Sequence, residues 1–191
     1  NGNGYTQEWR DEAKKRGLLD LPSTPDALSH YTDKKNIELF ARHNIFTAAE
    51  VHSRKEILLE NYCKVITIEA ATMVDMAQKD ILPAALKYTK ELCNMINAKD
   101  SCKIELPCRA EQTLATKLAT LSDELYDAII RLECKLKEAS VIIAIDKKAE
   151  FLRDQVKEHM AILREKADNI ELLIPCNCYP YPDYGTLLFS V

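Results

Sequence analysis

The feature that most constrains the fold is the near absence of glycine from a chain of 191 residues. Glycine occurs four times, and none lies between Gly17 and Gly185. Tight turns and β-hairpins use glycine for backbone conformations with positive φ, so strand-rich folds need it often. The abundant residues are Ala, Leu, Glu and Lys, which favour helix. The sequence therefore predicts a soluble, all-α chain that is almost entirely helical.

Apolar spacing and capping residues predict the first long helix. Thr47 and Glu50 form a capping-box motif at its start. Its core-facing stripe is expected to be Leu58, Tyr62, Val65, Ile66, Met73 and Ala77. Pro83 should kink or break this helix, because proline lacks a backbone donor and crowds the preceding turn.

The segment 108–174 contains neither glycine nor proline, which predicts a long helical hairpin. The turn is expected within 139–146, with Asp146 capping the second arm. One face of the first arm carries Leu114, Leu118, Leu121, Leu125, Ile129, Leu132 and Leu136. One face of the second arm carries Leu152, Val156, Leu163, Ala167 and Ile170.

Three parts follow from this organisation. Residues 1–46 are expected to form a linker with short helices, capped by Thr6, by Thr24 and by Thr32. Residues 47–174 are expected to form a bundle of three long antiparallel helices, one of them kinked. Residues 175–191 hold three prolines and three tyrosines and predict an irregular tail that ends in Leu187, Leu188 and Phe189.

Charge and hydropathy exclude several classes of function. The chain has 26 Lys and Arg against 30 Asp and Glu and no basic block, which argues against nucleic acid as a partner. Its longest aliphatic run, Val141 to Ile145, is far shorter than the roughly 20 residues that cross a bilayer. The seven cysteines are odd in number and irregularly spaced, which predicts free thiols and a cytoplasmic location. Because the chain starts at Asn1 rather than Met, we expect it to be part of a longer protein.

No complete catalytic or metal-binding set of residues is evident. Cys176 and Cys178 lack a second cysteine pair at zinc-finger spacing. No histidine follows a glutamate by three residues, as di-iron bundles require, and the glycine-rich phosphate-binding motifs are absent. Cys63 and Cys134 fall within helical patterns, where buried structural cysteines are expected.

The segment 53–64 is denser in polar groups than the rest of its helix. Arg54, Glu60, Asn61 and Tyr62 place polar groups beside an apolar stripe. The segment is either an ordinary amphipathic helix or part of an interaction surface.

Short stretches along the whole chain carry a resemblance to a known family. They are Asn1–Tyr5 with Glu8 and Trp9, Leu21–Leu28, Val51–Arg54, Glu56–Lys64, Ile68–Ala70 with Met73, Ile81–Ala84, Ala149–Asp154 and Pro180–Gly185. On these stretches the chain resembles the C-terminal region of a type III glutamine synthetase, and Ile57 to Lys64 is the most specific part. Lys55 and Tyr179 depart from the family pattern, which has an aromatic residue and a tryptophan at these positions.

The resemblance implies a parent enzyme that joins glutamate and ammonia using ATP and Mg or Mn, as a cytoplasmic oligomer of stacked hexameric rings. In that family the nucleotide, metal and glutamate ligands precede this region. Residues 1–46 would then follow the catalytic domain, and this stretch alone is expected to be inactive, with no catalytic, cofactor-binding or metal residues.

The expected partners are the chain's own catalytic domain and neighbouring subunits, met through a docking tail at 175–191. The residues expected to make these interactions are Arg54, Glu60, Asn61, Tyr62, Leu187, Leu188 and Phe189. The alternatives are a free-standing helical interaction module and, with less support, a metal-binding helical protein.

Overall fold

The computed structural model describes residues 3–102, 104–182 and 184–189. Asn1 and Gly2 of the expected N-terminal turn, Asp183, and Ser190 and Val191 of the tail lie outside the described residues. Helices make up 78% of the described part, which contains no strand. This confirms the all-α prediction.

Nine α-helices and two π-helical turns follow one another in the described residues. Three short helices come first: α1 (Gln7–Lys15), α2 (Thr24–Tyr31) and α3 (Lys34–Arg42). The long elements are α4 (Ala48–Met76), a π-turn (Ala77–Ile81), α5 (Leu82–Asp100), α6 (Arg109–Ser140), α7 (Ile145–Phe151), a second π-turn (Leu152–Val156) and α8 (Lys157–Glu171). The last helix is α9 (Tyr184–Phe189).

The long elements form three antiparallel arms, as the sequence predicts. The first arm is α4 continued by α5, the second is α6, and the third is α7 continued by α8. Helix α6 packs along α5 on one side and along α8 on the other, and α4 packs against α6 and α7. Ion pairs between Lys99 and Glu111 and between Lys166 and Glu124 join adjacent arms.

Pro83 disturbs the first arm without ending it. The π-turn Ala77–Ile81 lies just before the proline, and the backbone of Met76 and Leu82 on either side of that turn is α-helical. A proline removes the donor of one helical hydrogen bond, and a wider turn is one way to absorb that loss. The expected disturbance is therefore a π-turn within a continuous arm.

The capping box that starts α4 is confirmed. The Thr47 hydroxyl accepts a hydrogen bond from the Glu50 backbone N–H at 3.3 Å, and the Glu50 carboxylate accepts one from the Thr47 N–H at 2.7 Å. Thr6 caps α1 as expected, accepting from the N–H of Trp9 at 3.4 Å.

The predicted caps of α2 and α3 are each wrong by one residue. The cap of α2 is Ser23 rather than Thr24, and its hydroxyl accepts from the N–H of Asp26 at 3.3 Å. The cap of α3 is Asp33 rather than Thr32, and it makes no side-chain capping bond. Serine and aspartate are stronger N-caps than threonine, so the ranking of capping residues favours the two caps that the structure shows.

The turn between the second and third arms lies where the sequence predicts it, but Asp146 does not cap the third arm. Ala144 occupies the cap position of α7. Asp146 lies in the first turn of the helix, and its carboxylate pairs with Lys55 of α4 at 3.0 Å. The aspartate therefore joins two arms rather than closing one.

The core lies between the three arms and is mainly aliphatic. The predicted face of the third arm is fully confirmed, since all five residues are buried, and the predicted face of α6 packs in the core as expected. In α4 the predicted stripe is partly wrong, because Leu58 and Val65 are exposed while Leu59 and Cys63 are buried. Cys134, which was expected to be buried, is exposed.

The tail is only partly irregular. Residues 175–182 form turns and bends, whereas the following residues form the short helix α9. No helix among those described combines the length and apolar character that a membrane crossing needs.

Candidate docking surface

The described residues contain no candidate metal centre. Within them, no three His, Cys, Asp or Glu side chains come together in a way that could hold a metal ion. The described residues therefore do not fit the metal that the family resemblance implies for the parent enzyme. The candidate functional features of the described residues are therefore surfaces, and two of these surfaces are unusual.

The first unusual surface is on α4, which carries apolar side chains on two sides. One side lies in the core and includes Leu59, Cys63, Ile66, Ala70 and Val74. At 3.6 residues per turn, a second set falls on roughly the opposite side. We call this set the outer face, and it consists of Ile57, Leu58, Asn61, Val65, Ile68, Thr72 and Met76.

The outer face is exposed, and the residues that compose it are uncharged, although Lys64 borders it. Its five large apolar side chains are between 37% and 65% exposed. The charged residues Arg54 and Asp75 lie near the two ends of the face. The face is roughly 30 Å long at 1.5 Å per residue. Exposed apolar strips with polar borders are typical of interaction sites.

The second surface is a groove between the first arm, α8 and the tail. The groove has a volume of about 390 Å³ and is lined mainly by apolar and aromatic side chains, with Arg164, Asp168 and Glu171 among them. Met76 and Leu187 both line it. The outer face of α4 therefore ends at the groove beside the tail.

Two tyrosines fix the tail to the bundle. The Tyr181 hydroxyl donates a hydrogen bond to the Asp80 carboxylate at 2.6 Å, and the Tyr179 ring meets the Tyr181 ring edge-on at 6.0 Å. Burial raises the pKa of Tyr179 to about 12. Burial, together with the hydrogen bond to Asp80, raises the pKa of Tyr181 to about 12 as well.

Beyond this anchor, the apolar end of the tail stays exposed. Leu187, Leu188 and Phe189, which were predicted as interaction residues, lie in α9 and are 60–80% exposed. The structure thus places them where a partner could reach them.

The four predicted interaction residues of α4 do not form one site. Arg54 stacks over the Phe46 ring at 4.2 Å, and Glu60 pairs with Lys64 at 3.3 Å. Asn61 lies on the outer face. Tyr62 instead turns toward the bundle, where its hydroxyl is buried with no hydrogen-bond partner in the described part of the chain, and burial raises its pKa.

The apolar residues of the outer face are not among the interaction residues predicted from the sequence. Ile57, Ile68 and Met76 were not assigned a role, and Leu58 and Val65 were assigned to the core. The signal that identifies them is present in the sequence, since they recur at helical spacing about half a turn from the buried set.

Two of the stretches that carry the family resemblance meet at a junction between α2 and the third arm. Arg153 pairs with Asp26 of α2 and also binds Asp154 through two hydrogen bonds, at 2.6 and 2.8 Å. Ser23 donates to the second Asp26 oxygen at 2.5 Å. The charges of Arg153, Asp154 and Asp26 all influence the pKa of Tyr62. Tyr62 belongs to the stretch Ile57 to Lys64, so this most specific part of the resemblance also lies near the junction.

Comparison with known proteins connects these features to one family. A family model described as the glutamine synthetase C-terminal domain matches residues 1–100. A glutamine synthetase of Butyrivibrio fibrisolvens is 40% identical over 191 residues, which is 100% of this chain and 27% of that protein. A type-3 glutamine synthetase of Dictyostelium discoideum is 32% identical over 194 residues, covering 99% of this chain and 26% of that protein.

A third relative, a glutamine synthetase of Bacteroides fragilis (strain YCH46), is 28% identical over 193 residues, covering 99% of this chain and 26% of that protein. The chain thus spans about a quarter of the length of the curated relatives it matches.

Proposed function

The chain belongs to the family of glutamine synthetase C-terminal domains, and we propose that it is the non-catalytic helical domain of a longer, ATP-dependent glutamate–ammonia ligase. In this proposal the parent enzyme acts in the cytoplasm and uses ATP with Mg or Mn bound elsewhere in the polypeptide. The domain braces and helps to assemble that enzyme. Its partners are the enzyme's own catalytic domain and neighbouring subunits, and the domain alone makes no glutamine.

One observation carries the assembly role: the tail is anchored to the bundle but its apolar end is exposed. Tyr181 and Tyr179 hold the tail against the first and third arms, while Leu187, Leu188 and Phe189 remain largely in water. Burying a large apolar side chain contributes roughly 1.5–3 kcal/mol before the entropy of ordering is subtracted. A fixed apolar end of this kind favours association with another surface.

The absence of a chemical site in the described residues supports a non-catalytic role. Catalysis of a ligation with ATP needs groups that hold phosphate and metal, and the described part of the chain brings no three His, Cys, Asp or Glu side chains together to hold a metal ion. A free-standing interaction module would share these properties. The sequence upstream of Asn1 in the gene separates the two, because only the ligase requires a catalytic domain there.

The experiment replaces Leu187, Leu188 and Phe189 by serine in the full-length enzyme. We expect a lower melting temperature or a shift toward smaller assemblies in light scattering, because apolar burial between surfaces is lost. Activity per assembled enzyme should persist, since these side chains take no part in the reaction.

The matched control is Ile143→Ser, which removes a 99% exposed isoleucine from the turn between α6 and α7. The control should leave mass and melting temperature unchanged. If the triple variant also retains the mass, the melting temperature and the activity of the unmodified enzyme, the tail has no part in assembly.

A further inference from the structure

The outer face of α4 differs from the solvent sides of the other long helices. Helix α4 exposes five large apolar side chains, whereas α5 and α6 each expose two and α8 exposes none among the described residues. A helix at the surface of a folded protein normally has a polar outer side. Described elements border the outer face only at Met76, beside the tail, and at Ile68, beside α7, and they leave both side chains well exposed. Helix α4 therefore has the pattern of a helix that is buried on both sides.

We propose that the outer face of α4 is covered, in the intact protein, by the part of the same polypeptide that lies outside this chain. The proposal rests on the proposed function, in which the chain is one domain of a longer glutamine synthetase. It adds the surface through which the helical domain contacts the rest of its own subunit. The contact is apolar, and Asn61 and Thr72 supply its only polar side chains.

The size of the face favours a contact within one polypeptide over a contact between separate chains. The face has five large apolar side chains, 37–65% exposed, whereas each partner in a stable complex of separate proteins contributes roughly 20–30 residues to the interface. A covalently connected partner is present at high effective concentration, so a smaller face is sufficient. The face alone is therefore too small to hold a second copy of the bundle.

The length and the path of the polypeptide agree with this occupant. The curated relatives extend well beyond the matched quarter of their length, which leaves ample chain to cover the face. Helices α2 and α3 pack on α4, and the Asp26–Arg153 pair fixes α2 to the third arm. Helix α2, in the N-terminal part of the chain, is thus held close to α4.

The test is hydroxyl-radical footprinting of the full-length enzyme, read residue by residue by mass spectrometry. Ile68 and Ile57 on the outer face should be oxidised at least about fivefold more slowly than Ile130 of α6, as a change from exposed to core-like surroundings requires. Ile130 is a matched reference because it is also a helical isoleucine and is 41% exposed. Oxidation of Ile68 at the rate of Ile130 would show that the face lies in water and would overturn the proposal.

Crosslinking identifies what covers the face. Lys64 borders it with an exposed amine, and amine crosslinks can be mapped in enzyme reassembled from unlabelled and ¹⁵N-labelled subunits. The proposal expects crosslinks from Lys64 to the preceding part of the polypeptide within a single isotopic species. Crosslinks that mix the two species would assign the face to another subunit. That result, or a lack of crosslinks to the preceding part of the polypeptide, would overturn the proposal.

A paired substitution gives a second readout in the same enzyme. Ile68→Glu should lower the melting temperature by several degrees because it places a charge in an apolar contact, while Ile130→Glu should have little effect. These results are independent of the tail. A protected outer face together with a dispensable tail would refute the assembly role and leave the present inference standing.

Discussion

The bundle and the segments attached to it are held by different forces. The bundle has a continuous apolar core in which Leu118, Leu125 and Leu132 of α6 are fully buried between the other two arms. Among the short helices, α1 buries only Ala13 and α3 buries no residue, whereas α2 adds Leu28 to the core of the bundle. Apolar burial therefore dominates the stability of the bundle, while the attached segments bury fewer apolar side chains and rely on it less.

Two of the attached segments, α2 and the tail, are also fixed by a polar contact to an aspartate side chain or from one. Asp26 of α2 pairs with Arg153 of the third arm, and Tyr181 of the tail donates to Asp80 of the first arm. Both contacts join residues that are more than a hundred positions apart in the sequence. Directional contacts of this kind fix where a segment lies, and they can break without unfolding the core.

The largest effect is expected from a cavity in the core of the bundle, which tests whether apolar burial dominates the stability of the bundle. Leu132→Ala should lower the free energy of unfolding by about 2–5 kcal/mol, because Leu132 is fully buried and the surrounding helices relax only partly. Denaturant unfolding followed by circular dichroism measures the loss. Leu172→Ala, at an 82% exposed leucine just after α8, is the control and should cost little. A loss for Leu132→Ala as small as that of the control would mean that the apolar core does not dominate.

The Asp26–Arg153 pair should contribute less and should act on α2. In a double-mutant cycle with Asp26→Asn and Arg153→Met, we expect a coupling free energy of about 1 kcal/mol that weakens with added salt. Amide hydrogen exchange should show faster exchange in α2 than in α6. The control is the Lys34–Glu38 pair, whose side chains are mostly exposed, and its coupling should be near zero. Equal coupling for the two pairs would argue against a special junction at Arg153.

The contrast also explains which parts of the fold could be predicted from sequence. The faces of α6 and of the third arm were correct because each carries a single apolar stripe, and helical periodicity then identifies the buried side. In α4 the periodicity is ambiguous, since apolar residues occupy two sides. Leu58 and Leu59 are adjacent and chemically identical, so only tertiary packing decides that Leu59 is the buried one.

The attached segments were harder to predict because long-range polar contacts leave no periodic signal. The Asp26–Arg153 and Tyr181–Asp80 contacts depend on how the arms are arranged in space. Tyr62 was expected both in the apolar stripe of α4 and as an interaction residue, and its ring lies against the core as the stripe predicts. The stretches that carry the family resemblance did contain Asp26, Tyr62 and Arg153, but nothing in their local sequence indicated that the three would meet.

The smallest effect is expected from the tail contact at neutral pH. Tyr181→Phe removes the hydrogen bond to Asp80 and keeps the ring, so the loss of stability should be under about 1 kcal/mol. Tyr126→Phe, at a 53% exposed tyrosine of α6, is the matched control. The comparison becomes sharper at high pH, where the tyrosines ionise.

The sign of the pH effect follows from the raised pKa values of the tail tyrosines. The pKa of Tyr179 and that of Tyr181 are about 12 when the tail is in place, against about 10 for an exposed tyrosine. The docked tail thus favours the neutral phenols, and its stability is complete below about pH 10 and is lost as the pH rises toward 12. Tyrosinate absorbance should show these two groups ionising late, with one late group fewer in Tyr181→Phe but not in Tyr126→Phe. If every tyrosine ionised together near its ordinary pKa, the two tail tyrosines would not be buried against the bundle. The tail would then not be held by the contact between Tyr181 and Asp80.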